Sequence, residues 1–92
     1  MQWQLRVYRA KDGELDAFVR EWRERVLPLR RAHGFDVLGP WVTDDARFVW
    51  IIGHDDLARA DAAYYASAER AALEPDPARH ILEAEHVAMR AA

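Results

Sequence analysis

Polar and apolar residues alternate at the start of the chain, which is the pattern of a half-buried β-strand. Between residues 2 and 9, one side of this strand carries Trp3, Leu5 and Val7, and the other carries Gln4, Arg6 and Tyr8. Lys11-Asp12-Gly13 then predicts a turn. From residue 14 to residue 32 the apolar residues recur at helical spacing, at Leu15, Phe18, Trp22, Val26 and Leu29. A strand followed by an amphipathic helix is therefore expected.

The predicted first helix has a clear end and one irregularity. Arg30, Arg31 and His33 suit the negative end of a helix, and Gly34 fits the left-handed residue that follows the last turn. Pro28 lies inside the helical pattern. Because proline lacks an N–H donor and its ring crowds the preceding turn, we expect it to bend or shorten the helix.

Residues 35–43 and 47–54 predict two strands joined by a tight turn, and the length of the turn decides which side chains share a face. A two-residue loop, Asp44-Asp45, places Trp41 on the same face as Phe48 and Trp50. A three-residue loop that includes Ala46 moves Trp41 to the opposite face, because the side-chain period of a strand is two. Asp-Asp is a poor pair for a two-residue turn, but the sequence leaves both registers open.

The second half of the chain completes a regular order of elements. Asp55 or Asp56 can cap a helix over residues 57–73, which ends at Glu74-Pro75-Asp76-Pro77, and residues 80–89 predict the last strand. This order predicts one α+β domain over residues 1–92, a ferredoxin-like βαββαβ fold with a four-stranded antiparallel sheet and both helices on one face. The other sheet face would be bare and apolar. We therefore expect two sheets to pair about a two-fold axis into a dimeric α/β barrel.

Composition narrows the possible classes of function. A chain of 92 residues buries only about 60% of its unfolded surface, which favours an oligomer. The net charge is −3 and no basic stripe is present, so a nucleic-acid partner is not expected. The absence of cysteine excludes disulfides and thiolate zinc sites. The longest apolar run is too short for a membrane span, and the N-terminus does not resemble a signal peptide. We expect a cytoplasmic homodimer from a bacterium.

The histidines do not predict a metal site. His80 and His86 would share a face of the last strand but lie about 20 Å apart at about 3.3 Å per residue, too far to bind one ion. His33 is most simply a partner of the helix dipole. No metal and no cofactor are expected. If the protein is an enzyme, His54 and His80 are the candidates for a general base.

Four aromatic residues, Trp22, Trp50, Tyr64 and Tyr65, could form a ligand pocket between helices and sheet. For Trp22 and Trp50, core packing is the favoured interpretation, because helical and strand spacing already explains both. Adjacent Tyr64 and Tyr65 cannot both point inward. Arg6 and Tyr8 share a strand face and could anchor a carboxylate or phenolate in such a pocket. The simpler interpretation of Arg6 is an interface ion pair, for example with Glu83 or Glu85 of the last strand.

Several short runs together resemble a known family. The first strand reads Leu5-Arg6-Val7-Tyr8, of the form Leu-Arg-x-Tyr, and the first helix carries Phe18 and Trp22. Further runs follow: Leu27-Pro28-Leu29-Arg30, His33-Gly34-Phe35, Gly39, Trp41-Val42-Thr43, Phe48-Val49-Trp50 and Pro75-Asp76-Pro77-Ala78-Arg79. Over nearly the whole chain these resemble the NIPSNAP family, in the dimeric α/β barrel superfamily. The resemblance implies the fold and the dimer, but no defined reaction.

The chain departs from that family near the end of the second helix. The family often has a proline and then a tryptophan there, whereas this chain has Ala68 and Arg70. An unbroken second helix and a missing aromatic wall of the pocket are therefore expected. The first functional hypothesis is a protein that binds a small apolar or aromatic molecule in a modest apolar pocket. The alternative, by analogy with the wider superfamily, is a cofactor-free monooxygenase or cyclase that acts on aromatic secondary metabolites.

Overall fold

The computed structural model describes residues 1–92 and contains one four-stranded sheet. The strands are β1 (Gln2–Ala10), β2 (Asp36–Val42), β3 (Arg47–His54) and β4 (Ile81–Met89). Their order across the sheet is β2-β3-β1-β4, and every neighbouring pair is antiparallel. The predicted ferredoxin-like α+β fold is confirmed. The last strand begins one residue later than predicted, because residues 77–80 form a short 3-10 helix, Pro77–His80.

The first helical segment changes its winding in the middle. It consists of α1 (Leu15–Glu21), a π-helical turn (Trp22–Val26) and α2 (Leu27–Ala32). The wide turn immediately precedes Pro28, which lies in the first turn of α2. A proline ring clashes with the carbonyl four residues earlier in a regular α-helix, and a wider turn relieves this clash. The helix therefore continues through Pro28. The segment ends as predicted at Gly34, whose φ of 85° is left-handed.

The second helical segment is broken, contrary to the prediction of one helix over residues 57–73. It consists of α3 (Leu57–Ala66) and α4 (Ala68–Ala71). Between them Ser67 is extended, with ψ of 149°, and its side-chain oxygen accepts a hydrogen bond from the Arg70 backbone N–H. Ser67 thus caps α4 and replaces a proline as the helix breaker. No helix of the protein combines the length and the apolar character needed to cross a membrane.

The backbone N–H groups at the start of α3 find a different hydrogen-bond acceptor from the one predicted. Neither Asp55 nor Asp56 caps the helix with its side chain. Instead, the Gln2 side chain of β1 accepts a hydrogen bond from the Leu57 backbone N–H at 2.9 Å. The first strand therefore positions the second helical segment directly.

The β2–β3 hairpin has the three-residue loop, Asp44-Asp45-Ala46. The Thr43 N–H donates to the Arg47 carbonyl at 2.9 Å, and Ala46 has a left-handed φ of 63°. This conformation is typical of three-residue hairpin loops. Trp41 pairs with Val49 and is 52% exposed. It therefore lies on the face opposite Phe48 and Trp50, as the longer loop predicts.

The two faces of the sheet differ sharply. The helices cover one face, where Phe48, Trp50 and Ile52 are buried and form the core with Phe18, Trp22, Phe35, Val37, Leu57 and Tyr64. The predicted core positions Phe18 and Trp22 are confirmed. We call the other side the open face; its apolar side chains are Trp3, Leu5, Val7, Leu38, Trp41, Val49, Ile51, Val87 and Met89. Leu38 there is 49% exposed.

His80 joins the start of β4 to the first helix through two carboxylates. Its Nδ1 lies 2.8 Å from Glu14 Oε1 and its Nε2 lies 2.5 Å from Glu21 Oε2. Because both ring nitrogens face carboxylate acceptors, both must carry a proton, so the ring is an imidazolium. Hydrogen bonds to Glu21 and Glu14 raise the pKa of His80. The Arg79 guanidinium, with His80, lowers the pKa of Glu21 to about 2.

These pKa shifts predict a window of maximal stability. The raised pKa of His80 contributes stability that is complete below the unfolded pKa of about 6.5 and is lost as pH rises through the folded value. The lowered pKa of Glu21 contributes stability above its usual value of 4.5, which is lost as pH falls towards about 2. The free energy of unfolding, measured with urea across pH, should therefore decline on both sides. His80→Gln should flatten the alkaline decline and leave an acid decline. A wild-type protein equally stable at pH 6 and pH 9 would contradict this assignment.

Candidate functional site

A cavity of about 240 Å³ lies between the sheet and the helices. Ten of its thirteen lining residues are hydrophobic. The other three are basic: Arg30, Arg70 and His86. No carboxylate lines the cavity. It is therefore an apolar pocket whose only charged or titratable groups besides tyrosine are basic.

Aromatic rings form much of the wall of this cavity. Trp22 and Trp50 meet edge to face, with centroids 5.3 Å apart. Tyr8 lies edge-on to Trp50 at 6.4 Å and Phe18 at 6.0 Å. Edge-to-face pairs of this kind are favourable beyond their buried area. The wall is thus a rigid aromatic surface.

The π-helical turn decides which residues of the first helical segment face the cavity. Trp22, Val26 and Arg30 all line it, at intervals of four residues. In a regular α-helix the residue two turns after Trp22 would be Leu29, as the sequence pattern predicts. The extra residue in the wide turn brings Arg30 to that position instead. Arg30 lies in the last turn of α2, as predicted, and it is only 1% exposed.

Asp61 of α3 joins two buried arginines. Its Oδ1 lies 2.6 Å from Arg30 Nη1, and its Oδ2 lies 3.2 Å from Arg6 Nη2. Arg6 and Arg30 are each only 1% exposed. Two positive charges and one negative charge leave this cluster with a net charge of +1. Asp61 was not predicted, although its spacing from Leu57 and Tyr64 placed it on the buried face of α3.

Arg30 is enclosed by aromatic rings. Its guanidinium carbon lies 3.7 Å from the ring centroid of Tyr64, 4.9 Å from that of Phe35 and 5.1 Å from that of Tyr65. Its Nη2 also donates to the Tyr65 hydroxyl at 3.1 Å. Cation–π contacts of this kind offset part of the cost of burying the charge. As predicted, the two tyrosines do not both point inward: Tyr64 is buried and Tyr65 is 52% exposed.

Several buried polar atoms of the cavity wall have no hydrogen-bond partner in the protein. They are the Nε of Arg30, the indole nitrogen of Trp22 and the hydroxyl of Tyr64. Nη1 of Arg6, behind the wall, is also without a partner. The indole nitrogen of Trp50 lies close enough to the Tyr8 hydroxyl to donate to it. Buried polar groups are normally hydrogen-bonded, so an accumulation around one cavity is unusual.

Four of the five residues predicted for a ligand pocket, Tyr8, Trp22, Trp50 and Tyr64, line this one cavity. Arg6 does not line it and lies behind the wall against Trp50, 5.2 Å from the ring centroid. The predicted ion pair of Arg6 with Glu83 or Glu85 is wrong. Glu85 pairs across the sheet with Val7 and Glu83 with Arg9, so both glutamates project from the open face.

Neither histidine proposed as a general base lines the cavity. His54 Nδ1 accepts a hydrogen bond from the Asp56 N–H at 2.9 Å before α3, and His80 is held by two glutamates. The expectation that His80 and His86 share a strand face is also wrong, because His80 precedes β4. The histidine in the cavity wall is His86. Burial, followed by the charge of Arg6, lowers its pKa. The structure contains no group of three or more histidines or carboxylates that could hold a metal ion.

The NIPSNAP family model matches residues 3–89, almost the whole chain. The protein belongs to the NIPSNAP family. A NIPSNAP domain protein from Burkholderia xenovorans has the same fold, with a TM-score of 0.86 at 20% identity over 100% of this chain and 95% of that one. A NIPSNAP family protein of unknown function from Agrobacterium tumefaciens has a TM-score of 0.85 at 22% identity over 100% and 88%.

The fold also extends to a second group of proteins. A structure described as an antibiotic biosynthesis monooxygenase has a TM-score of 0.71 at 22% identity, over 100% of this chain and 99% of that one. At this level of identity the likeness concerns the fold alone. A comparison with curated proteins finds no sequence match.

Arg70 lies where the NIPSNAP family often has a tryptophan, and it lines the cavity. Its guanidinium carbon lies 5.5 Å from the ring centroid of Tyr65, and its Nη2 donates to Asp76 Oδ1 at 2.8 Å. The aromatic wall expected to be missing at this position is thus replaced by a stacked arginine.

Replacing Asp61 tests the arginine cluster. Asp61→Asn removes the only negative charge near two buried guanidinium groups, and breaking a buried pair in this way costs roughly 3–5 kcal/mol. Urea denaturation should show a large drop in the free energy of unfolding. The matched control is Asp12→Asn at an exposed turn, where a change within about 0.5 kcal/mol is expected. Equal stability of the two variants would show that the cluster contributes little to the fold.

Proposed function

We propose that this NIPSNAP family protein binds a small, flat, mostly apolar molecule in the cavity between its sheet and its helices. The observation that supports this proposal is the cavity wall, in which ten of thirteen residues are hydrophobic. The aromatic rings that line the cavity, Tyr8, Trp22, Trp50 and Tyr64, suit a planar ligand because they can stack on it or meet its edge.

The size of the cavity limits the ligand. An apolar protein cavity of about 150 Å³ holds a benzene molecule. At about 240 Å³, this cavity has room for a substituted single ring or for two fused rings. Larger polycyclic molecules would require the helices to move.

Ligand binding is tested with naphthalene-sized probes. Such probes should quench tryptophan fluorescence, because Trp22 and Trp50 form the wall, and should raise the melting temperature by mass action. The test variant is Ala84→Phe, which places a ring in the cavity wall on β4. The matched control is Ala88→Phe on the same face of β4, outside this cavity. Binding should be lost in the first variant and retained in the second. Failure of every probe to bind the wild-type protein would reject the proposal.

We further propose that the protein is a homodimer that pairs through the open face. This face is apolar over three or more strands, and Leu38 and Trp41 on it are about half exposed. Exposed apolar areas of this extent usually mark an interface, and a stable interface buries about 1,200–2,000 Å² in total. The resemblance to the dimeric α/β barrel superfamily supports the same arrangement. The cytoplasmic location expected from the sequence stays a prediction.

A charge on the open face should separate the dimer. Leu38→Asp would bury an unpaired carboxylate in the interface, which is costly. Ala62 is exposed on α3, on the side of the sheet that the helices cover, so Ala62→Asp is the control. Light scattering at micromolar concentration should give a monomer for Leu38→Asp and a dimer for the control and the wild type. A monomeric wild-type protein would reject the assembly.

A second candidate function is a cofactor-free monooxygenase or cyclase acting on the bound aromatic molecule. The observation that favours it is His86, an imidazole in the cavity wall whose lowered pKa keeps it neutral and able to accept a proton. The likeness to a protein described as an antibiotic biosynthesis monooxygenase concerns the fold only. Oxygen uptake with a phenolic probe, lost in His86→Gln while binding is retained, would favour the enzyme over the binding protein.

A further inference from the structure

We infer that the molecule bound in the cavity carries a negatively charged oxygen group, a carboxylate or a phenolate, and that Arg30 is the residue that anchors it. This inference rests on the proposed ligand-binding function and specifies the class of ligand. It makes the natural ligand an aromatic acid of one or two rings rather than a neutral hydrocarbon.

The charges around the cavity support an anion. Arg30 and Arg70 line it, and no carboxylate does; the charge of Arg70 is paired with Asp76, so Arg30 is the cation that concerns the ligand. The carboxylate nearest to Arg30 in the protein, Asp61, is shared with Arg6 and so neutralises only one of two buried charges. An anionic ligand would neutralise the one positive charge that Asp61 leaves on Arg6 and Arg30. A cationic ligand would add a second positive charge beside it.

The hydrogen-bond donors that have no partner also favour an anionic ligand. Arg30 Nε and the indole nitrogen of Trp22 can only donate hydrogen bonds, and neither has an acceptor in the protein. A ligand made only of carbon and hydrogen would leave these donors unsatisfied. An oxygen anion supplies several acceptor sites at once, and hydrogen bonds to charged groups are the stronger ones.

The competing explanation is that Arg30 has a structural role only. Aromatic rings surround its guanidinium, and Asp61 and Tyr65 already engage its two terminal nitrogens. Under this explanation the cavity would bind neutral and anionic molecules of one shape equally well. The difference between the two explanations can be measured directly as a difference in affinity.

The test compares probes of matched shape and different charge on the wild-type protein. Naphthalene-2-carboxylate, naphthalene-2-carboxamide and 2-(aminomethyl)naphthalene are titrated calorimetrically at pH 7.5, with benzoate and benzamide as a smaller pair. We expect each carboxylate to bind at least about tenfold more tightly than its amide, the difference that one charged hydrogen bond provides, and the amine to bind most weakly.

Two variants assign the preference to Arg30. Arg30→Met keeps the length of the side chain and removes its charge, so the carboxylate should lose its advantage over the amide. Arg59→Met removes one positive charge from an exposed position on α3, where the side chain is 87% exposed, and should leave the preference unchanged. If Arg30→Met does not fold, Arg30→Lys, which keeps the charge but removes the Nε donor, should show a reduced preference.

The outcomes separate the inference from the function on which it rests. Equal affinity of carboxylate and amide for the wild-type protein would overturn the inference and leave the ligand-binding function standing. A carboxylate preference that survives in both Arg30 variants would overturn the role of Arg30. Binding of no probe at all would overturn the proposed function and the inference together.

Discussion

The shared carboxylate of Asp61 is the interaction on which the arrangement of this protein depends. It connects β1, α2 and α3 through Arg6, Arg30 and Asp61, three residues far apart in the sequence. Hydrophobic burial supplies most of the driving force for folding, but it is not directional. Two buried guanidinium groups accept only a narrow range of positions around one carboxylate. The cluster therefore fixes how the two helical segments lie over the sheet, and the cavity takes its shape from that arrangement.

The two sides of the sheet separate the proposed ligand binding from the proposed assembly into a dimer. The cavity lies on the covered side, between the sheet and the helices, and the apolar open face lies on the other side. Because side chains alternate along each strand, neighbours such as Arg6 and Val7 contribute to opposite sides. A substitution on one side can therefore change ligand binding or assembly without touching the other. Such independence is valuable in a chain of only 92 residues.

The sequence pattern predicted the fold well because alternation and helical spacing report directly on burial. It also brought together Tyr8, Trp22, Trp50 and Tyr64, since each lies on the buried side of its element. The sequence pattern did not decide two features that depend on a single residue in a turn. The left-handed Ala46 decides the face of Trp41, and the π-helical turn exchanges Leu29 for Arg30. Neither follows from the average preference of the residues involved. His86 was overlooked because polar and apolar residues do not alternate clearly along β4, so the pattern did not show which of its sides faces the helices.

The π-helical turn also affects how this chain must be compared with its relatives. A π-turn of this kind is an α-helix with one additional residue, so the surface of the helix beyond it keeps its orientation while the numbering moves by one. A relative that lacks the additional residue would present its equivalent of Arg30 only seven positions after its equivalent of Trp22. An alignment of the two chains then requires a gap inside the helix, where gaps are usually forbidden. Without that gap Arg30 would be compared with a residue from a different position of the helix surface.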